Sequence, residues 1–122
     1  MSTETESLFI PKDLTIREPG KKRATRFFKK FVPEEAELTP NTVMETGIAV
    51  ENALSRLLCN ERRIEDIELL LKGYKTKEEE HILRKMIGRQ GNDYDRQELQ
   101  GQLEYVRRCN SSLIMEKGDF TW

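Results

Sequence analysis

The chain has 122 residues, 36% of them hydrophobic and 35% charged, and a formal net charge of −1 from 21 Lys+Arg against 22 Asp+Glu. That length fits one domain with a tail, and the even balance excludes a protein-wide field for polyanions, so electrostatic recognition has to be local. Cys59 and Cys109 occur without a C-x-x-C pair and with a single histidine, His81, which excludes a zinc module by spacing.

Residues 1 to 7 are acidic and polar where a signal peptide needs a basic and then an apolar stretch. No apolar run reaches the length of a membrane span. A cytoplasmic or nuclear protein with reduced thiols is the expectation.

The four prolines, Pro11, Pro19, Pro33 and Pro40, all fall within residues 1 to 40. This stretch is expected to be a mostly extended, flexible N-terminal tail. Leu8, Phe9 and Ile10 form a small apolar cluster in it, suited to docking or to folding back. Within the tail, residues 21–32 make a basic amphipathic segment. Phe27, Phe28, Phe31 and Val32 share one helical face, and Arg23, Arg26, Lys29 and Lys30 fall largely on the other. Six of the ten residues from Lys21 to Lys30 are basic and none is acidic. Glu34, Glu35 and Glu37 follow at once.

From residue 41 to 118 the pattern predicts a helical domain. Thr39 suits an N-cap with Pro40 at the first helical position, and Thr42 with Glu45 offers a capping box one turn later. Val43, Gly47, Val50, Leu54 and Leu57 recur at spacings of four and three. Ile64, Ile67, Leu70, Leu71 and Tyr74 carry a second stripe with Gly73 as its stop; Asn60 offers a break between the two stripes, and one continuous helix from 42 to 72 is the alternative. Thr76 and Glu79 form another capping box before Ile82, Leu83, Met86 and Ile87. Gly91 and Asn92 mark a turn, and Asp95 with Glu98 resembles a further box at the start of a long last helix. Residues 119–122 form a C-terminal tail. The expected fold is all-α: a small helical bundle or helical hairpin of three to four helices.

The candidate binding residues are Lys21, Lys22, Arg23, Arg26, Phe27, Phe28, Lys29 and Lys30. Clustered cations neutralise phosphates and release counterions, and phenylalanines can stack on unpaired bases. The same pattern fits a helix lying on an anionic membrane, a nuclear localisation signal at Lys21, Lys22 and Arg23, or a helix whose phenylalanines pack on the bundle. Leu99, Leu103, Val106, Asn110 and Leu113 alternate at four and three, the seam of a coiled coil with Asn110 at an a position, where it would fix register in a homodimer. An ordinary bundle helix is the plainer reading of so short a seam. Trp122 is a candidate partner anchor.

Glu78 and His81 have the carboxylate–histidine spacing of di-iron bundles, but one chain lacks the rest of such a set, and acids in a first helical turn are expected for dipole reasons. No nucleophile motif or phosphate-binding glycine loop occurs, and no cofactor or metal is implied. The chain is therefore expected to be a non-enzymatic helical adaptor or regulatory protein, in the style of a viral or regulatory accessory protein. Its partner would be a protein or a nucleic acid. The alternatives are a peripheral membrane protein using the basic arm, ranked below these, and a structural subunit of a larger complex with the arm packed internally.

Overall fold

A computed structural model describes residues 19–88 and 91–115, and in it the chain is all-helical. The helices are α1 (Lys21–Lys29), α2 (Pro40–Leu58), α3 (Ile64–Gly73), α4 (Lys77–Ile87) and α5 (Asp93–Met115). Five helices stand among the described residues where three to four were expected, and the additional one is α1. The basic amphipathic segment is thus part of the bundle, contrary to its assignment to an extended tail. Residues 1–18, with the Leu8-to-Ile10 cluster, and the C-terminal tail 119–122 lie outside the described residues.

Capping chemistry sets most of the boundaries. The Thr39 hydroxyl accepts from the Thr42 amide at 3.1 Å with Pro40 at the first helical position, so the first of the two candidate caps opens α2. The helix closes at Cys59, and Asn60 follows in the left-handed region at φ 67°, which asparagine tolerates better than most residues. Before α4 both arms of the Thr76–Glu79 box are made, at 3.2 and 3.4 Å. The last helix starts earlier than expected. Asn92 and Asp95 exchange reciprocal bonds of 3.0 and 3.2 Å, so the box is formed by Asn92 and Asp95 in place of Asp95 and Glu98. A box needs an acceptor before the helix, and Asn92 supplies one three residues upstream of Asp95.

α5 is the axis of the bundle and packs on α1, α2 and α4, while α3 bridges α2 and α4. Contacts between α5 and α2 pair Arg96 with Leu58, Arg107 with Glu51 and Asn110 with Gly47, so the two helices run antiparallel. α1 is also antiparallel to α5: the Ser112 hydroxyl donates to the Pro19 carbonyl at one end, and the Phe27 and Tyr105 rings meet edge-on at 5.3 Å further along. α3 is tied to α2 by a bidentate pair from Arg56 to Asp66, at 2.6 and 2.8 Å. Its expected stripe is only partly inward, since Leu70 and Tyr74 are buried but Ile64 is 72% exposed.

The core is centred on α1's aromatic face. Phe27, Phe28 and Phe31 are all buried, and with Tyr74 and Tyr105 they form a run of tilted and edge-to-face ring pairs with centroids 5.2 to 6.3 Å apart. Each buried phenylalanine contributes about 2 kcal/mol of transfer free energy, and favourable ring pairs add roughly 0.5–1.5 kcal/mol. Two glycines make room for them. A Cβ on Gly47 would lie 2.9 Å from the Phe28 ring and collide with the Asn110 side chain, and one on Gly73 would collide with the Phe31 ring.

Gly47→Ala and Gly73→Ala should therefore each lower stability by about 1–3 kcal/mol through overpacking. Gly101→Ala, where an added Cβ meets nothing within 4 Å, should raise it by roughly 0.5–1 kcal/mol through helix propensity. Chemical denaturation of the three variants, read by far-UV circular dichroism, checks both signs.

Candidate functional site

The face of α1 opposite its phenylalanines is cationic. Lys22, Arg26 and Lys29 recur at spacings of four and three, which places them on one stripe of the helix. They are exposed, as is Lys30 beyond the helix end; Arg23 is half-buried at the flank, and Lys21 is largely buried. None of Lys22, Arg26, Lys29 and Lys30 forms an ion pair with a carboxylate among the described residues, although the chain makes such pairs elsewhere, as in Arg56–Asp66 and Arg107–Glu51. Lys30 has a second contact, its ammonium lying 5.4 Å from the centre of the Phe27 ring. This position also faces the start of α4. There burial raises the Glu79 carboxyl above its usual range, while the Thr76 hydrogen bonds and then the Lys30 charge pull it back in part.

Phe27 and Phe28 share the basic segment with these cations, and the fold separates the two sets. Their rings are 3% and 0% exposed and touch other core aromatics. A base can stack only on a ring face that is open to it, so in this fold the two phenylalanines support the cationic face from beneath and do not themselves line it.

The expected self-association seam is likewise turned inward. Leu99, Leu103, Val106, Asn110 and Leu113 are all buried in the chain's own bundle. The Asn110 amide donates to the Gly47 carbonyl at 3.0 Å and to Glu51 Oε1 at 2.7 Å. The seam is covered by the chain's own helices, and Asn110 sets the register of α5 against α2 within one chain. Spacing found the right residues, but spacing alone does not say which helix covers them. Trp122 lies outside the described residues.

Glu78 and His81 are both exposed on α4. Among the described residues no group of three or more His, Cys, Asp or Glu side chains is placed to hold a metal ion. No helix among them is long and apolar enough to cross a membrane.

A polar cluster inside the core escaped the sequence reading. Gln102 is fully buried beside Tyr74, and Tyr105 and Cys109 are buried on the same helix. Burial, and then the Glu79 charge, push the Tyr74 hydroxyl well above its ordinary value, with the Gln102 amide offsetting this in part. Burial pushes the Cys109 thiol up to about 12, against a smaller opposing effect of its hydrogen bond with Tyr105. A glutamine on a helix gives no local signal of burial, because only tertiary packing encloses it. Comparison of the chain with protein-family models, with curated proteins and with solved structures finds no match.

Two measurements check this interior. A thiol reagent at about pH 8 should modify the exposed Cys59 promptly, and Cys109 only when denaturant opens the core, since the thiolate is the reactive form. Stability should also fall as pH rises from about 9 to about 12. In that window the unfolded chain releases a proton from Cys109, near its ordinary value of 9.0, that the folded chain still holds. Cys109→Ala should flatten this part of the thermal-melt profile and leave the part due to Tyr74.

Proposed function

We propose that the protein is a non-enzymatic binding module in which a five-helix bundle presents the outer face of α1 to an acidic macromolecular partner, with nucleic acid phosphates the favoured ligand. The observation that carries this reading is the stripe of Lys22, Arg26, Lys29 and Lys30. These four side chains are exposed and have no carboxylate partner among the described residues. Cations left unpaired on one helix face act together on a closely spaced row of phosphates. With the phenylalanines buried, the contact is electrostatic, and it reads the backbone rather than base identity. Recognition therefore needs neither a deep pocket nor an activated side chain, which agrees with a non-catalytic role.

A structural-subunit reading is the second, favoured by the packing of α1 into the core. In that case the bundle is the whole product of the arm's sequence, and the cations only keep its outer face solvated. The membrane reading loses its support, because the apolar face that would enter the acyl boundary is the one that α1 buries in the bundle.

Fluorescence anisotropy with a mixed-sequence oligonucleotide separates the two. The adaptor reading expects binding that weakens with salt, with a log–log slope of about −3 to −4 if all four cations engage phosphates. Neutralising all four (Lys22→Gln, Arg26→Gln, Lys29→Gln, Lys30→Gln) should abolish that slope while the melting temperature stays within a few degrees. Equal binding by the neutralised variant would exclude α1 as the contact, and absence of binding by the parent chain would favour the structural subunit.

A further inference from the structure

A second cationic site lies in the loops that close the bundle. The end of α2, the end of α4 and the start of α5 meet around a pocket of about 400 Å³ lined by Asn60, Arg62, Met86, Gly91 and Arg96. Among the described residues no acidic side chain lines it.

Both arginines are held by backbone. Arg62 donates from Nε to the Ile87 carbonyl at 2.8 Å, from Nη1 to the Asn60 carbonyl at 2.9 Å and from Nη2 to Asn60 Oδ1 at 3.3 Å. Arg96 donates from Nη2 to the Leu58 carbonyl at 2.9 Å. These bonds satisfy carbonyls that the ends of α2 and α4 leave open; three of them anchor Arg62, and one tethers the exposed Arg96.

Among the described residues Arg62 and Arg96 have no carboxylate partner, in contrast to Arg56, Arg84 and Arg107. A guanidinium carries five N–H donors, so each retains donors beyond those committed to the helix ends, and on Arg96 both Nε and Nη1 have no acceptor among the described residues. Two positive charges that share a pocket repel each other unless an anion lies between them. For Arg62 the cost of immobilisation has already been met by its three bonds, so on that side binding an anion orders little further.

We propose that this pocket binds a phosphate group through Arg62 and Arg96, either as free phosphate or as the monoester of a small metabolite. Two unpaired guanidiniums match the near-double negative charge of a phosphate at neutral pH, and their planar forks suit its oxygens. A carboxylate would neutralise only one of them. This site is separate from the α1 stripe and does not rest on the function proposed for it.

The test is a titration of the full chain with inorganic phosphate at constant ionic strength, followed by amide NMR shifts. The expected result is a saturable shift at Asn60, Gly91 and Arg96, with a dissociation constant on the order of 1 mM. Arg96→Lys, which keeps the charge and leaves the three Arg62 bonds in place but removes the fork, should weaken binding about tenfold, equivalent to 1.4 kcal/mol. The doubly substituted Arg62→Lys/Arg96→Lys chain should show no saturable shift. If that double variant does not fold, the single Arg96→Lys result decides. The chain neutralised along α1 should bind phosphate as the parent does. Adenosine monophosphate binding more tightly than inorganic phosphate would point to a metabolite, and equal binding to the free ion. Absence of a saturable shift in the parent chain, an unchanged affinity in Arg96→Lys, or acetate binding as well as phosphate would each overturn the proposal.

Discussion

The packing of Phe27, Phe28 and Phe31 against two glycines and two tyrosines is the contact on which the rest of the bundle depends. It joins α1 to α2 through the notch at Gly47, to the end of α3 through the notch at Gly73, and to α5 through Tyr105. Three elements far apart in sequence are thus held by one nine-residue helix and by Phe31 just past its end. On its own a helix that short is marginal in water. Its stability comes from the face it buries, and the bundle in turn relies on that face to fill its centre.

This dependence explains the chemistry of α1's other side. A helix that must bury two rings, with a third just past its end, has to be oriented by them, and the remaining positions then point outward together. Lys22, Arg26, Lys29 and Lys30 are solvated because the phenylalanines are not. The charge stripe is therefore rigidly presented, and its side chains lose less freedom on meeting a partner than those of an unfolded arm would. The cation–π contact of Lys30 with Phe27 links the two faces directly.

Polar groups supply the register that apolar packing leaves loose. Asn110 bonds Gly47 and Glu51 across the α2–α5 contact, Asp66 pairs with Arg56 across α2 and α3, and Arg62 and Arg96 close the carbonyl ends of α4 and α2. Sliding α5 by one turn would leave the Asn110 amide buried without its acceptors, which costs about 1–3 kcal/mol. The same arginines that close the helices also line the pocket at the end of the bundle, so one pair of side chains has both a structural and a binding capacity.

Local rules made much of the helical plan legible. Thr39 with Pro40 and Thr76 with Glu79 mark helix starts through bonds between residues three apart, and Asn60 marks an end through its own backbone preference. The stripes on α2 and α5 named eight of the core residues, because burial of one helix face repeats every three to four residues. What spacing left open is the identity of the surface opposite each stripe. The sequence by itself determined that α1 would have an aromatic and a cationic face, and that Leu99, Leu103, Val106, Asn110 and Leu113 would share a seam. Only the tertiary structure decided that the first face is core and that the seam is covered by the same chain. It also decided that Arg62 and Arg96, distant in sequence, would share a pocket. Those outcomes depend on which helices meet and at what register, and that is settled by long-range fit between side chains such as Phe31 and the notch at Gly73.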